Sequence, residues 1–220
     1  PIGNGSLGGM VHGGIGEEII SLNEESFWAG YPQNLNRREA YPYLEQVRDF
    51  AKAGKYKEAQ DIIESHMLSE FNQPYQPLGA LKIQFHNQKT AEWYERNLRL
   101  GCGVAETRYE TDGTQYKREY FCSYPDQVMA VRLYAGKSAK ISCEVSLESV
   151  CRNICRADDR TLLMDVTAPA KVAIKDVYQF PQDSEVIYDD SKPVIRGQVV
   201  LRVSVKSGTI DTAEKSVLIK

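Results

Sequence analysis

The sequence is poor in the residues that mark several large classes of protein. It has three histidines and no Gly-x-Ser-x-Gly motif, so a serine nucleophile with a histidine base is unsupported. The glycine-rich start lacks the Gly-Lys-[Ser/Thr] ending of a phosphate-binding loop. The net charge of -3 offers no basic surface to nucleic acid, and no apolar run approaches the roughly 20 residues of a membrane helix. We therefore expect neither a nucleic-acid partner nor a membrane span.

Cysteine is also used sparingly, with five residues and hence no complete set of disulfides. Cys143 alternates with aliphatic residues and is predicted to be a small buried hydrophobe. Cys151 and Cys155 are four residues apart, but no histidine or second cysteine pair lies at the spacing of a zinc site. We therefore predict no metal and no cofactor.

What the chain has in abundance is glycine near its start. Seven glycines fall between Gly3 and Gly16, which lets the backbone approach another surface closely. We expect a strand pair, roughly residues 9–13 and 17–22, whose end loops press against something else. The amides of Asn4 and Asn23 near Trp28 suit a polar ring-shaped ligand or a tight domain contact. The alternative is a glycine-rich hairpin with a buried tryptophan.

The rest of the chain is read from its apolar periodicity. Residues 41–67 repeat with a period of 3.6 and are interrupted at Gly54, which predicts a pair of helices. Beyond Pro77 the period is two, and Asp112-Gly113 is a strong hairpin signal. About ten strands are expected, without a β-α-β rhythm. This pattern predicts a single antiparallel sandwich or barrel domain.

Acidic pairs are the remaining candidates for chemistry. Neighbouring residues on a strand point to opposite faces, so an acidic doublet rarely supplies the two facing carboxyls of a glycosidase. Asp158-Asp159 and Asp189-Asp190 are typical of solvated turns. Glu24 lies among the glycine, asparagine and tryptophan residues and is the acid to test, although we favour a capping role or a salt bridge over catalysis.

Five motifs stand in order along the chain: Pro1-Ile2-Gly3-Asn4-Gly5-Ser6-Leu7-Gly8-Gly9-Met10-Val11; Leu22-Asn23-Glu24 with Trp28-Ala29-Gly30; Gln76-Pro77-Leu78-Gly79; Tyr109-Glu110-Thr111-Asp112-Gly113 leading through Arg118-Glu119-Tyr120-Phe121; and Tyr124-Pro125-Asp126-Gln127-Val128. Together they are similar to the N-terminal domain of the bacterial α-L-fucosidases of glycoside hydrolase family 95. The resemblance is good over residues 1–147 and continues only as a strand pattern beyond them.

The resemblance implies a galactose-mutarotase-like β-supersandwich with a two-helix insertion near residues 41–68. It implies that residues 1–220 are one N-terminal domain, truncated at both ends, whose partner is a C-terminal (α/α) helical barrel of the same chain. That barrel supplies a Glu general acid and an Asp general base and removes terminal α-L-fucose or α-L-galactose from glycans with inversion. None of those catalytic residues falls on this sequence, so the fragment alone is expected to be inactive. A periplasmic or secreted parent enzyme is also implied.

Within this framework Asn4, Asn23, Glu24 and Trp28 are candidates for the edge of the sugar pocket or for the domain interface. Packing between domains would leave an apolar patch around Trp28 exposed in the isolated domain. The rival hypothesis is a stand-alone carbohydrate-binding sandwich with no enzyme attached.

Overall fold

A computed structural model of the chain describes residues 1–69, 72–86, 90–137, 141–173 and 185–220. The contacts between residues divide it into two compact units, one of residues Pro1–Gly30 with Pro74–Lys220 and one of Tyr31–Gln73. The first unit is built of strands and the second of helices. The expectation of a single domain stays a prediction.

Sixteen strands lie in the described residues, in the order β1 (Ile2–Gly3), β2 (Leu7–Val11), β3 (Glu17–Glu24), β4 (Gly79–Phe85), β5 (Trp93–Arg99), β6 (Val104–Thr111), β7 (Thr114–Ser123), β8 (Val128–Ala135), β9 (Cys143–Glu148), β10 (Arg152–Asp158), β11 (Thr161–Thr167), β12 (Lys171–Ala173), β13 (Glu185–Ile187), β14 (Arg196–Arg202), β15 (Ile210–Thr212) and β16 (Ser216–Ile219). The Asp112-Gly113 hairpin joins β6 to β7, with both turn residues at positive φ. Of the acidic doublets expected in turns, Asp159 and Asp190 do lie in turns, while Asp158 is the last residue of β10 and Asp189 accepts hydrogen bonds from Ser191 beside its turn.

The strands form an antiparallel sandwich, which confirms the predicted fold class. A seven-stranded sheet has the order β1-β2-β3-β4-β9-β16-β15. Facing it are a four-stranded sheet, β5-β6-β7-β8, which contacts β1 and β2, and a three-stranded sheet, β10-β11-β14, which contacts β9 and β16. A two-stranded ribbon of β12 and β13 completes the set. Side chains from the three larger sheets, such as Ile20, Tyr120 and Met164, share one buried core.

The structure corrects the expected strand count of about ten, and two of the missed strands show why. Every residue of β5 is exposed, so this strand carries no apolar alternation. On β10 the inward positions are filled by Asn153, Cys155 and Ala157, while Ile154 points outward and is 69% exposed. The pairing of these strands with β6 and β11 determines their structure, and that pairing leaves little trace in their own sequences.

The predicted pair of helices is confirmed as α1 (Leu44–Lys52) and α2 (Tyr56–Ile62), with a 3₁₀ turn before them and a π turn after them. Gly54 has φ +73° and accounts for the end of α1. Its amide donates to the carbonyl of Ala51, and the amide of Lys55 donates to that of Phe50, which together form a Schellman motif. In the same unit the ring of His66 stacks on Tyr43 with 4.1 Å between centroids, so this histidine has a packing role.

The first glycines do allow a close approach, but the surface they meet belongs to this same chain. A Cβ on Gly9 would lie 2.7 Å from the Met129 methyl group. Gly13 is buried at φ +75°, and a Cβ there would lie 2.8 Å from side-chain atoms of Tyr94 and Arg96. Of the end loops expected to press against another surface, the turn at residues 12–16 therefore packs on β5 of the same chain.

All five cysteines are free thiols. Cys143 is fully buried, and this burial raises the pKa of its thiol to about 11, so the prediction of a small buried hydrophobe is confirmed. Within the described ranges, no three His, Cys, Asp or Glu side chains are grouped to hold a metal ion. In the same ranges, no helix has the length and hydropathy to cross a membrane.

Gly13→Ala and Gly54→Ala form a matched pair of substitutions. Both glycines have positive φ, but a Cβ on Gly54 meets nothing within 4 Å. We expect the strain of a left-handed alanine, about 1–2 kcal/mol, at both positions. Gly13→Ala should lose about 1–3 kcal/mol more in free energy of unfolding, because its methyl group overlaps Tyr94 and Arg96. Urea titration followed by circular dichroism measures the difference, and equal losses would contradict the close approach.

Candidate functional site

The sequence-predicted site residues gather at one end of the sandwich. Leu7 pairs with Glu24 at the open end of the β2–β3 hairpin, and its turn at residues 12–16 lies at the opposite end. We call the open end the Trp28 rim, formed by residues 3–6, 23–28, 74–76 and 123–126. The structure thus brings Asn4, Asn23, Glu24 and Trp28 to one rim.

Asn4 holds the base of the rim together. Its Oδ1 accepts hydrogen bonds from the amides of Ser6 and Leu7, at 3.2 and 2.8 Å. Its Nδ2 donates to the carbonyl of Ser123 at 2.8 Å, which ties the β1–β2 loop to the end of β7. Asn23 is half-buried and lies opposite Gly8. The oxygen and the nitrogen of the Asn4 side-chain amide are thus both hydrogen-bonded within the fold.

The acids of the rim fix turns. Glu24 Oε2 accepts from the amide and the hydroxyl of Ser26, at 2.9 and 2.6 Å. Glu25 Oε1 accepts from the hydroxyl of Ser6, and Asp126 Oδ2 accepts from the hydroxyl of Ser123. The capping role favoured for Glu24 is the one that the structure shows.

Trp28 and Tyr75 form the exposed part of the rim. Their backbones make an isolated antiparallel bridge, and their rings meet edge to face with 5.3 Å between centroids. Trp28 Nε1 donates to the carbonyl of Glu25, and the Tyr75 hydroxyl donates to the carbonyl of Glu24. Burial of the phenol and the nearby Glu24 charge raise the pKa of Tyr75.

Trp28 is 44% exposed and Tyr75 37% exposed, while the neighbouring Phe27 is 1% exposed and anchors the loop in the core. The alternative of a buried tryptophan is therefore wrong, and the expected exposed patch is present. Because the indole N–H is bonded internally, the group that Trp28 offers to a partner is its apolar ring.

A second polar cluster was missed by the sequence reasoning. Glu18 of β3 faces Arg118 and Tyr120 of β7, and Tyr109 of β6 lies beside them; each of the four is at most 1% exposed. Arg118 lies 3.5 Å from Glu18 Oε2, and the Tyr120 hydroxyl donates to the same oxygen at 2.5 Å. The available signal was the alternation of β7, which puts Arg118 on the same face as Tyr120.

This cluster locks the turn of the β2–β3 hairpin. Arg118 donates to the carbonyls of Gly14 and Ile15, and the amide of Gly13 donates to Glu18 Oε1 at 2.8 Å. The guanidinium also lies 3.9 Å from the centroid of the Phe85 ring. Because the four side chains are sealed from solvent, no substrate reaches them, and their role is structural.

Burial also shifts the phenols of the cluster away from ionisation. It raises the pKa of Tyr109 to about 12, against the opposing charge of Arg118. The pKa of Tyr120 is raised further, by burial and by the adjacent Glu18 carboxylate. Both phenols therefore stay protonated at neutral pH and act as hydrogen-bond donors or acceptors only.

Comparison with known proteins agrees with this architecture. The chain belongs to the family described as "Glycosyl hydrolase family 65, N-terminal domain", which it matches over residues 1–220. It is 32% identical to "Alpha-L-fucosidase 2" of Arabidopsis thaliana over 216 residues, which cover 94% of this chain and 25% of the relative. It is 34% identical to "Probable alpha-fucosidase A" of Aspergillus niger over 147 residues, covering 63% of this chain and 18% of the relative.

The predicted resemblance to the N-terminal domain of a fucosidase-like glycoside hydrolase is thereby confirmed. The chain spans about a quarter of the length of its plant relative. These relatives are plant and fungal proteins, so the family number 95 and a bacterial origin stay predictions.

Arg118→Met should lower the free energy of unfolding by about 3–5 kcal/mol, because it leaves Glu18 as a buried charge without its cation. Arg196→Met, on the exposed face of β14, should change it by less than about 0.5 kcal/mol. Chemical denaturation of the two variants gives both values. A loss at Arg118 no greater than that at Arg196 would show that the buried pair does not hold the fold.

Proposed function

We propose that this chain is the non-catalytic N-terminal domain of an α-L-fucosidase-like glycoside hydrolase. In the longer protein a C-terminal helical barrel removes terminal α-L-fucose, or α-L-galactose, from fucosylated glycans with inversion. The Trp28 rim packs against that barrel and borders its active site. A periplasmic or secreted enzyme fits this substrate, and the mechanism calls on no cofactor.

The exposed Trp28–Tyr75 pair is the observation that carries the proposal. The rings of Trp28 and Tyr75, which are 44% and 37% exposed, meet edge to face on loops held by internal hydrogen bonds. A rigid apolar surface of this kind is typical of a contact site, and burying it against a partner is favourable by roughly 25 cal/mol per Å² of apolar area.

The acids of the rim support a role outside the chemical step. Inverting hydrolysis needs an acid and a base on opposite faces of the sugar, about 6.5–9.5 Å apart with a water between them. Glu24, Glu25 and Asp126 each accept a hydrogen bond from a serine of the rim itself. In the proposal the catalytic carboxyls come from the barrel, and these three keep the rim in shape.

The second candidate function is a stand-alone carbohydrate-binding sandwich. The ring of Trp28 favours it, because an exposed indole face suits stacking on the C–H face of a sugar. Calorimetric titration of the 220-residue chain with a fucosylated oligosaccharide separates the two functions. Micromolar affinity would favour the binding module, and no measurable binding fits the accessory domain.

Trp28→Ala in the full-length enzyme should lower kcat/KM for an α-L-fucoside about tenfold or more, because the barrel loses its packing surface and the pocket edge shifts. Trp93→Ala is the matched control, since Trp93 is 50% exposed on β5, away from the rim. Initial rates with a chromogenic fucoside measure both.

The 220-residue chain alone should show no hydrolysis of the same fucoside. Turnover by this chain would contradict the proposal, and so would a Trp28→Ala enzyme that matches the Trp93→Ala enzyme.

A further inference from the structure

The layer that faces the seven-stranded sheet is interrupted by a groove. In the part of the chain that the structure describes, β8 pairs with β7 alone and β14 pairs with β11 alone. The edge of β8 and the last two residues of β14, Leu201 and Arg202, border one groove of about 880 Å³. Its two walls are continuous stretches of chain, residues 131–137 and 201–208.

The groove exposes backbone as well as side chains. On a strand seen from its face, only every second residue would line a cavity. Here all seven positions of one wall do so, which places the edge of β8 along the groove, with N–H and C=O groups available for pairing. Leu81, Ile83 and Val145 of the opposite sheet lie at its base and are at most 5% exposed. The apolar side chains that the groove leaves half-buried are on its walls and include Val131, Leu133 and Val203.

The volume fits one strand. Neighbouring strands lie about 4.8 Å apart, stacked sheets about 10 Å apart, and each residue advances the chain by about 3.3 Å, which gives roughly 160 Å³ per residue. At that value the 880 Å³ groove holds about five or six residues, which is the commonest length of a strand.

The charges that the described residues bring to the groove are all of one sign. Among these residues its lining contains five cationic side chains and no acidic one, in a chain whose net charge is -3: Arg132, Lys137, Arg202, Lys206 and Lys220. Lys220 is paired with Asp211. Arg132 and Arg202 are exposed on β8 and β14, so each would be a cross-strand neighbour of a strand placed between them.

We propose that this groove seats a single β-strand from the remainder of the longer polypeptide. The strand pairs with the edge of β8 and extends the four-stranded sheet toward the end of β14. Its inward side chains are apolar and cover the half-buried Val131, Leu133 and Val203. Its outward side chains include acids that meet Arg132 and Arg202. The proposal rests on the proposed function in one respect, that this chain is a domain of a longer protein.

Hydrogen exchange of the backbone amides tests the pairing. Amides of β8 that are not bonded to β7 should exchange about tenfold or more slowly in the full-length protein than in the 220-residue chain, because the strand covers this edge. The amides of β11, which already has a partner on each side, serve as the internal reference. Equal exchange at β8 in the two proteins would overturn the proposal.

A charge reversal in the full-length protein gives a test that does not require the shorter chain to fold. Arg202→Glu should lower the Tm by about 2–4 °C, since it sets a negative charge beside the acidic face of the strand. Arg196→Glu is the matched control, because Arg196 is exposed on the same face of β14 but lies outside the groove. Equal shifts for the two variants would count against the proposal.

Two further outcomes show whether a second copy of the chain fills the groove and whether the proposed function, rather than the strand, is wrong. Protection of β8 that appears in the 220-residue chain only as its concentration rises, together with a dimer in light scattering, would assign the groove to a second copy and overturn the proposal. Neither test reads fucosidase activity. Protected edges in a protein without that activity would therefore refute the proposed function and support the strand.

Discussion

The buried ion pair between Glu18 and Arg118 is the contact on which the first unit depends. It joins β3 of the seven-stranded sheet to β7 of the four-stranded sheet at a point where each side chain is at most 1% exposed. Removing two charges from water is costly, and hydrogen bonds offset that cost here. Glu18 accepts from the Tyr120 hydroxyl and the Gly13 amide. Arg118 donates to two carbonyls of the hairpin turn. The pair therefore ties the two layers together at this point and also holds that turn in place.

The turn of the β2–β3 hairpin is held in place, and the Trp28 rim lies at the opposite, open end of the same hairpin. With residues 12–16 held on the four-stranded sheet, the open end carries Asn4, Glu24 and Trp28 on loops that are capped by their own side chains. The result is a rim whose polar groups are largely engaged internally and whose exposed feature is a pair of aromatic rings. Such a surface is suited to packing and to contact with the apolar face of a sugar. This explains why the same residues can form a domain interface and border a pocket in the proposed enzyme.

Much of this was predictable from the sequence, since both the alternation beyond Pro77 and the helical repeat around Gly54 reflect local burial. Asn4, Asn23, Glu24 and Trp28 were candidates because of the motifs that carry the family resemblance, and the structure places all four at one rim. Other features depend on contacts distant in the chain. The close packing of Gly9 needs Met129, and that of Gly13 needs Tyr94 and Arg96. The fully exposed β5 is a strand because of its pairing with β6. The buried Arg118 was visible in the alternation of β7, but its partner Glu18 is 100 residues away in sequence.

Hydroxyl-radical footprinting of Trp28 and Trp93 tests the central claim most directly. In the 220-residue chain the two indoles are 44% and 50% exposed, so they should be oxidised at similar rates. In the full-length protein, oxidation of Trp28 should fall several-fold while that of Trp93 is unchanged, since a buried indole is shielded from the radical. Equal oxidation of Trp28 in the two proteins would contradict the account, because the rim would then have no partner within the longer chain.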